Sequence, residues 1–304
     1  MEDAQSRIIS ALPFCIVRSP FTGNRIVSLP FTSYCDPLVS SPEEFPDLLG
    51  GLIDLMGSVG PARYYELRVF GGAENIDDDR LKKHSYHKIH VLDLRQGFES
   101  LRKSFHRDCI KKSVRKAERS GIIIRDGASE QDLKSYYLHH AQTRKRLGLP
   151  IQPYSFFRNM WDIMKPPGYF SLFMAELEGK VIGGLIVFRF RDTLSLEHIG
   201  TDLGHLLLRP NHLLYFKAIE TACAEGLSYA DFGKTTADNQ GLLDFKRRWG
   251  ATQYDVTYFY YPHVKGMMAL EDTSAKHKFF VNIGKRMPLV FARGLGRIAY
   301  RHMG

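Results

Sequence analysis

Cysteine is scarce and scattered in this chain. Cys15, Cys35, Cys109 and Cys223 form no C-x-x-C pair and stand at no metal-ligand spacing to a histidine. Neither a disulfide framework nor a zinc site is implied, and a reducing compartment suits such usage. No uninterrupted apolar stretch reaches the roughly 18 residues of a membrane-spanning helix. The opening MEDAQSRIIS also lacks the basic-then-apolar layout of a secretory leader. Disorder-promoting tracts are missing too, and 44% hydrophobic with 25% charged residues is an ordinary globular balance. Acidic residues are the minority, 33 against 42 Lys plus Arg, which favours polyanionic partners such as RNA, lipid phosphates or nucleotide sugars. These absences predict a cytoplasmic protein, soluble or peripheral at the inner membrane face, with no bound metal. Its 304 residues suggest about two domains of roughly 150 residues each.

What is present alternates between strand and helix signals. Runs at 12–19 and 25–31 read as strands joined by a turn through Phe21, Thr22, Gly23 and Asn24. Ser41 before Pro42, Glu43 and Glu44 starts a helix that the spacing of Phe45, Leu48, Leu49, Leu52 and Leu55 carries to about Met56. Strands are expected at 64–70 and 87–94. A basic helix over 98–119 then stops at Gly121. Beyond it the pattern predicts a strand at 122–125, helices at 130–146 and 154–164, and strands at 169–177, 181–190 and 193–200. A helix at 211–225, a strand at 228–232, a short helix near Leu242 and a strand at 253–260 follow.

From Ile122 onward this order resembles the plan of GNAT acyltransferases, and the first half reads as a similar unit missing its start. A tandem of two such units resembles the Fem family, aminoacyl-tRNA-dependent transferases that build peptidoglycan cross-bridges, and the related FemAB-like acyltransferases. The segments that carry the resemblance are FTGNRIVSLPFTSYCDPL from Phe21, IKKSVRKAERSGI from Ile110, TRKRLGLPIQPYSFF from Thr143, LRPNHLLYFKAIETACAEG from Leu208 and YADFGKTTADNQGLLDFKRRWGA from Tyr229. The fold class implied is α/β, two tandem GNAT-like domains with mixed sheets, the first shortened at its N-terminus. The expected divisions are 1–121, 122–265 and a basic amphipathic tail at 266–304. The resemblance implies transfer of an aminoacyl or other acyl group to an amine of a peptidoglycan or envelope precursor. The donor would be aminoacyl-tRNA or acyl-CoA, with no tightly bound cofactor and no DNA partner. A catalytically silent scaffold that binds RNA or membrane is the alternative of a different class.

Phe245 and Lys246 stand where the resembled family has a Phe-Lys pair on the donor side. A fixed ammonium there would stabilise the oxyanion of acyl transfer. Otherwise Lys246 lies on the exposed face of a short helix whose Phe245 and Trp249 point inward. Asp231, at a strand end before Gly233 and Lys234, would orient the amine or accept its proton, or simply cap the next turn. Lys234 and Arg248 are further candidates for contacting substrate. GNAT enzymes cradle CoA pyrophosphate with glycines at a helix start, because glycine lets backbone N–H groups approach the phosphates. Here His212 and Leu214 fill both glycine positions of the Arg209–Leu214 register, which shifts the expected donor away from CoA. Asn211 would cap that helix, and His212 is a packed side chain or a substrate contact. Arg144 and Arg146 close a helix, where cations hold an acceptor phosphate or carboxylate or answer the helix dipole.

Two basic segments remain. The 98–119 helix buries one face and presents Arg102, Lys103, Arg107, Lys111, Lys112, Arg115, Lys116 and Arg119 on another, either to a phosphate-rich partner or to water. In the tail Arg293, Arg297 and Arg301 recur at steps of four beside Phe291, Leu295 and Ile298, with Pro288 interrupting. Such a helix lies on an anionic membrane or docks on its own domain.

Overall fold

The computed structural model describes residues 1–2, 5–21, 23–58, 62–262 and 275–302. Thr22 of the expected first turn, and 266–274 and 303–304 of the expected tail, lie outside the described residues. Two compact units emerge, Met1–Ile89 with Tyr254–Ser274 and Ala299–Gly304, and His90–Gln253 with Ala275–Ile298.

In the first unit β1 (Cys15–Val17) and β2 (Arg25–Val27) form the expected antiparallel pair, Cys15 opposite Val27. Strand β3 (Tyr65–Val69) runs parallel to β2. Strand β10 (Thr252–Tyr261) runs antiparallel to β3. Successive side chains alternate between faces. Tyr65, Leu67, Val69 and Phe259 accordingly pack with Phe45, Leu49 and Leu52 of α1 (Phe45–Ser58), whereas Tyr64, Tyr258 and Tyr260 join Ile89 and Val256.

The second unit holds β5 (Ile123–Asp126), β6 (Phe170–Leu177), β7 (Lys180–Phe190), β8 (Thr193–Thr201) and β9 (Tyr229–Thr236), adjacent in the order β9-β8-β7-β6-β5. Strands β5 to β8 are antiparallel to their neighbours and β9 is parallel to β8. Both faces are covered, which explains why β6 and β7 read as nearly unbroken apolar runs. Leu172, Met174 and Ile186 pack with Tyr136, Tyr137 and Ala141 of α4 (Glu130–Leu147) and Phe157 of α5 (Tyr154–Met164). Phe173, Ala175, Leu185 and Val187 point the other way, toward Leu214, Ala218 and Ile219 of α6 (Pro210–Ala224).

The single helix expected over 98–119 is three pieces. Strand β4 (Lys82–Asp93) leads to α2 (Phe98–Ser104), a π-helical turn over Arg107–Lys111 follows, and α3 (Lys112–Arg119) completes the segment. The apolar spacing explains the break. Phe98, Leu101 and Phe105 keep a helical phase, but Ile110 comes five residues after Phe105, one too many for a regular turn. Helix α2 ends at Ser104, because Phe105 and His106 are extended at ψ 139° and 125°, and a π-turn, with Lys111 N donating to His106 O at 3.2 Å, opens the next helical stretch with Ile110 fully buried. His106 Nδ1 accepts from the amides of Asp108 and Cys109, both at 3.3 Å. Helix α3 packs on α6, so 98–119 belongs to the core of the second unit, whereas 254–261 pairs with β3 in the first. The compact units thus follow sheet and helix packing and cut the chain at other places than 121 and 265.

Helix α4 crosses β8 so closely that a Cβ on Gly200 would lie 2.4 Å from His140 N and 2.6 Å from its Cα. Backbone cannot yield as a side-chain tip can. Gly200→Ala should therefore destabilise the protein by about 1–3 kcal/mol, measured as a lower urea midpoint at unchanged m-value. Gly204→Ala, with nothing but the Asp202 carboxylate near 3.9 Å, is the matched control.

Candidate active site

The site is built where two parallel strands part. Strands β8 and β9 pair in register from Thr193 opposite Tyr229 to Ser195 opposite Asp231, yet β8 runs on to Thr201 and β9 to Thr236. Backbone groups of β9 beyond that point need other partners. Helix α7 (Gln240–Arg247) supplies one: Lys246 Nζ donates to Gly233 O at 2.6 Å and to Thr235 Oγ1 at 2.7 Å. Asn239 caps the helix by accepting from Leu242 N, and aromatic packing sets its tilt. Phe245 lies edge-on to His212 at 5.4 Å and against Tyr215 at 5.7 Å, and Trp249 is fully buried against Phe105 at 5.1 Å.

Lys246 is only 4% exposed, so the reading that leaves it on a solvent-facing surface is corrected. Leu243 and Lys246 share the inward face at helical spacing. Burial pulls the ammonium down to about 8, against the pull of the Asp231 and Glu197 carboxylates. Asp231, 4% exposed, is pushed up to about 6 by desolvation, while its Oδ1 accepts from Gly233 N at 2.7 Å and the Lys246 charge lowers it. Asp231 therefore caps its own turn, as the local reading expects, and feels the charge of the Lys246 ammonium.

Glu197 is the member that sequence patterning missed. Across β7 and β8 the pairing steps from Val187 opposite Leu196 to Ile186 opposite His198, so Glu197 is the extra residue of a β-bulge. Bulges re-aim a side chain, and this carboxyl feels the charges of Asp231, Lys246 and Lys234. Desolvation and then the charge of Asp231 push Glu197 up to about 7, offset by Lys246 and Lys234. The residue itself remains half-buried rather than sealed. Burial and the Glu197 charge also raise the Tyr215 phenol. On the other side of Lys246, His90 is held neutral at about 4 by burial and then by the cations of Lys246 and Arg247. Lys246, Asp231 and Glu197 thus interact electrostatically and bind their protons with affinities near neutrality, while the His90 imidazole stays neutral.

The remaining candidates lie elsewhere in the unit. Lys234, half-buried on β9, belongs to the surroundings of Glu197. His212 packs beside Phe245, its imidazole lowered to about 4 by burial and then by Arg209. Asn211 is not the cap of α6: Arg209, in the left-handed region at φ 67°, holds that position, and the Thr201 hydroxyl donates to Asn211 Oδ1. Arg144 Nε donates to Pro150 O at 3.0 Å, closing the turn after α4, and Arg146 is exposed nearby. Arg248 points to an open cleft lined by Ser104, His106, Asp244, Arg247 and Gly250. Among the described residues no three His, Cys, Asp or Glu side chains gather as metal ligands, and no described helix is long and apolar enough to cross a membrane.

Residues 104–247 match the family model described as Acetyltransferase (GNAT) domain, and the fold of the second unit is GNAT-like. On that domain match the chain reads as an acyltransferase. Solved structures similar over most of its length include FemX, at a TM-score of 0.67 and 14% identity, covering 84% of this chain and 86% of that one. The structure of L-PGS from Bacillus licheniformis gives 0.59 and 11%, covering 94% and 89%. The C-terminal domain of a putative lysylphosphatidylglycerol synthetase from Agrobacterium fabrum gives 0.56 and 11%, covering 86% and 84%. A comparison with curated proteins gives no match. The resemblance to FemAB-like acyltransferases therefore holds at the level of fold.

Raised carboxyls make stability depend on pH. In the unfolded chain Glu and Asp titrate near about 4.3 and 3.9, so over the interval up to their folded values the native state holds more protons than the unfolded one. The stability they contribute is complete below the unfolded values and is lost as pH rises through about 6 for Asp231 and about 7 for Glu197. Glu197→Gln should flatten the upper part of that fall. Urea unfolding at steps across the same interval measures it, and an unchanged slope would place Glu197 outside the buried charge cluster.

Proposed function

We propose that the protein transfers an acyl group to an amine of a cell-envelope precursor on the cytosolic side, with the chemistry at Glu197, Asp231 and Lys246. The observation that carries this reading is the convergence of those three groups at the parting of β8 and β9. An acceptor ammonium must lose a proton before it can attack. Glu197 is the group to take it, because its affinity for a proton, at about 7, is near that of the working medium and its residue is half-exposed. The amine nitrogen then forms a bond to the acyl carbon, the carbon–oxygen or carbon–sulfur bond to the donor breaks, the proton on Glu197 passes to the leaving atom, and the second proton that the nitrogen sheds on becoming an amide returns to the freed Glu197 carboxylate and from there to solvent. Lys246 has three donors and commits two to Gly233 and Thr235. The third stabilises the oxyanion, and Asp231 keeps the ammonium charged and oriented.

Aminoacyl-tRNA is the favoured donor and acyl-CoA the alternative. At the start of α6 the Leu214 side chain is fully buried and His212 lies edge-on to Phe245, so side chains fill the places where glycines would admit a pyrophosphate. The GNAT domain match supports an acyl thioester donor. An envelope acceptor is supported by the likeness to FemX and to the lysylphosphatidylglycerol synthetase domain.

Offering charged tRNA and acyl-CoA in parallel to peptidoglycan and lipid-linked precursors, with product detected by mass spectrometry, tests the proposal. Lys246→Ala should lower kcat by about 100- to 1,000-fold. Glu197→Gln should lower kcat/KM by about 100-fold or more and abolish its rise with pH through neutrality. Full activity in both variants, or no transfer from either donor by the native protein, would overturn the assignment.

A further inference from the structure

The C-terminal segment carries a surface that the transfer reaction does not use. Two helices form it, α8 (Ala275–Arg286) and α9 (Leu289–Ala299). Helix α9 is fixed to the second unit by its smallest residues. A Cβ on Gly296 would lie 2.0 Å from Ile151 O, Ala292 is buried in the cluster with Tyr137 and Ile151, and the Arg293 guanidinium covers the Tyr137 ring at 5.1 Å. At Gly148 the close approach is to α8, where a Cβ would meet Val281 O at 2.1 Å. The expectation that the tail docks on its own domain is met along this narrow face.

Docking leaves the larger side chains outside. Val290 is 78% exposed, Phe291 68%, Leu295 54% and Ile298 56%. At 3.6 residues per turn these four project from a continuous arc of about 140° on one side of α9. Arg293 and Arg297 border one edge of that arc, and Lys285 and Arg286 are exposed at the end of α8. Across 275–304 there are seven Lys or Arg and no Asp or Glu, whereas the chain as a whole has 33 acids to 42 bases. A solvated helix has no need of four outward apolar side chains, and a nucleic-acid contact has little use for them. An apolar arc bordered by cations with no acid nearby has the chemistry of an interfacial helix.

We infer that α9 seats the protein on an anionic lipid surface, its Val290, Phe291, Leu295 and Ile298 entering the acyl–headgroup boundary and its flanking cations meeting lipid phosphates. Helix α9 has 11 residues, far short of the roughly 20 a spanning helix needs, so it lies along the interface. Apolar entry and charge attraction are separate contributions here, and each cation near an anionic surface strengthens binding by roughly fivefold.

Vesicle co-sedimentation of the full chain decides the matter, using phosphatidylglycerol with phosphatidylcholine in equal parts and phosphatidylcholine alone. Binding is expected on the anionic vesicles and not on the neutral ones. Phe291→Ser with Leu295→Ser should weaken it at least about tenfold at constant salt, and Lys285→Glu with Arg297→Glu should weaken it comparably. All four side chains are exposed, so thermal melts should match those of the native chain. Vesicle binding that survives the serine pair, binding to tRNA without binding to vesicles, or a dimer abolished by the serine pair in a protein that ignores vesicles would each overturn the inference. Amine acylation in solution is a separate readout, so loss of either proposal is seen independently of the other.

Discussion

A buried ammonium is the constraint around which the second unit is arranged. Taking Lys246 out of water is unfavourable by several kcal/mol unless its charge is answered, and three different parts of the chain supply the answer. The end of β9 gives a carbonyl and a hydroxyl, Asp231 gives a carboxyl from the same strand, and the bulge in β8 gives Glu197. The two hydrogen bonds of Lys246 tie α7 to the sheet at the place where the β8–β9 ladder stops. What stabilises the local fold and what the proposed reaction would use are therefore one set of groups. The carboxyls bind their protons more tightly than in water while the ammonium binds its proton less tightly.

Support for that cluster comes from less reactive neighbours. Phe105, Tyr215, Phe232, Phe245 and Trp249 form an aromatic bed under α7. The helix cannot rotate without lifting Trp249 out of complete burial. Because Phe105, just after α2, belongs to that bed and α3 packs on α6, the basic segment at 98–119 serves the core with one side whatever its cations meet on the other. Arg144 has a comparable structural duty, since its bond to Pro150 O shapes the loop on which the C-terminal helices rest.

Much of this architecture was legible in the chain. Apolar runs in 169–200 split by Glu178-Gly179-Lys180 and Arg191-Asp192 marked three antiparallel strands, and the strand–helix order after Ile122 resembled the GNAT plan. The failures have physical causes. A period slip between Phe105 and Ile110 was visible in the apolar spacing, but one surplus residue does not say whether a helix ends or widens into a π-turn. Glu197 sits in LSLEHIG, where polar and apolar residues alternate as on any half-solvated strand, and a bulge leaves no mark in that pattern. The sequence left Lys246 open between a fixed ammonium and an outward side chain, because a lone lysine on a short helix usually faces water. Its burial depended on two carboxyls that are 15 and 49 residues away in sequence, a relation that local periodicity does not carry.

The bulge has one more consequence, for how such a protein would change over evolutionary time. Glu197 takes no place opposite β7, so the ladder does not depend on it. Deleting that single codon would restore regular pairing between β7 and β8 and lose nothing from either side of the sheet. A descendant could thus keep the whole architecture, and even gain order, while shedding the carboxyl that feels the charge of the ammonium. In such a descendant the proton-accepting role proposed for Glu197 would go with the residue while the sheet stayed as it is.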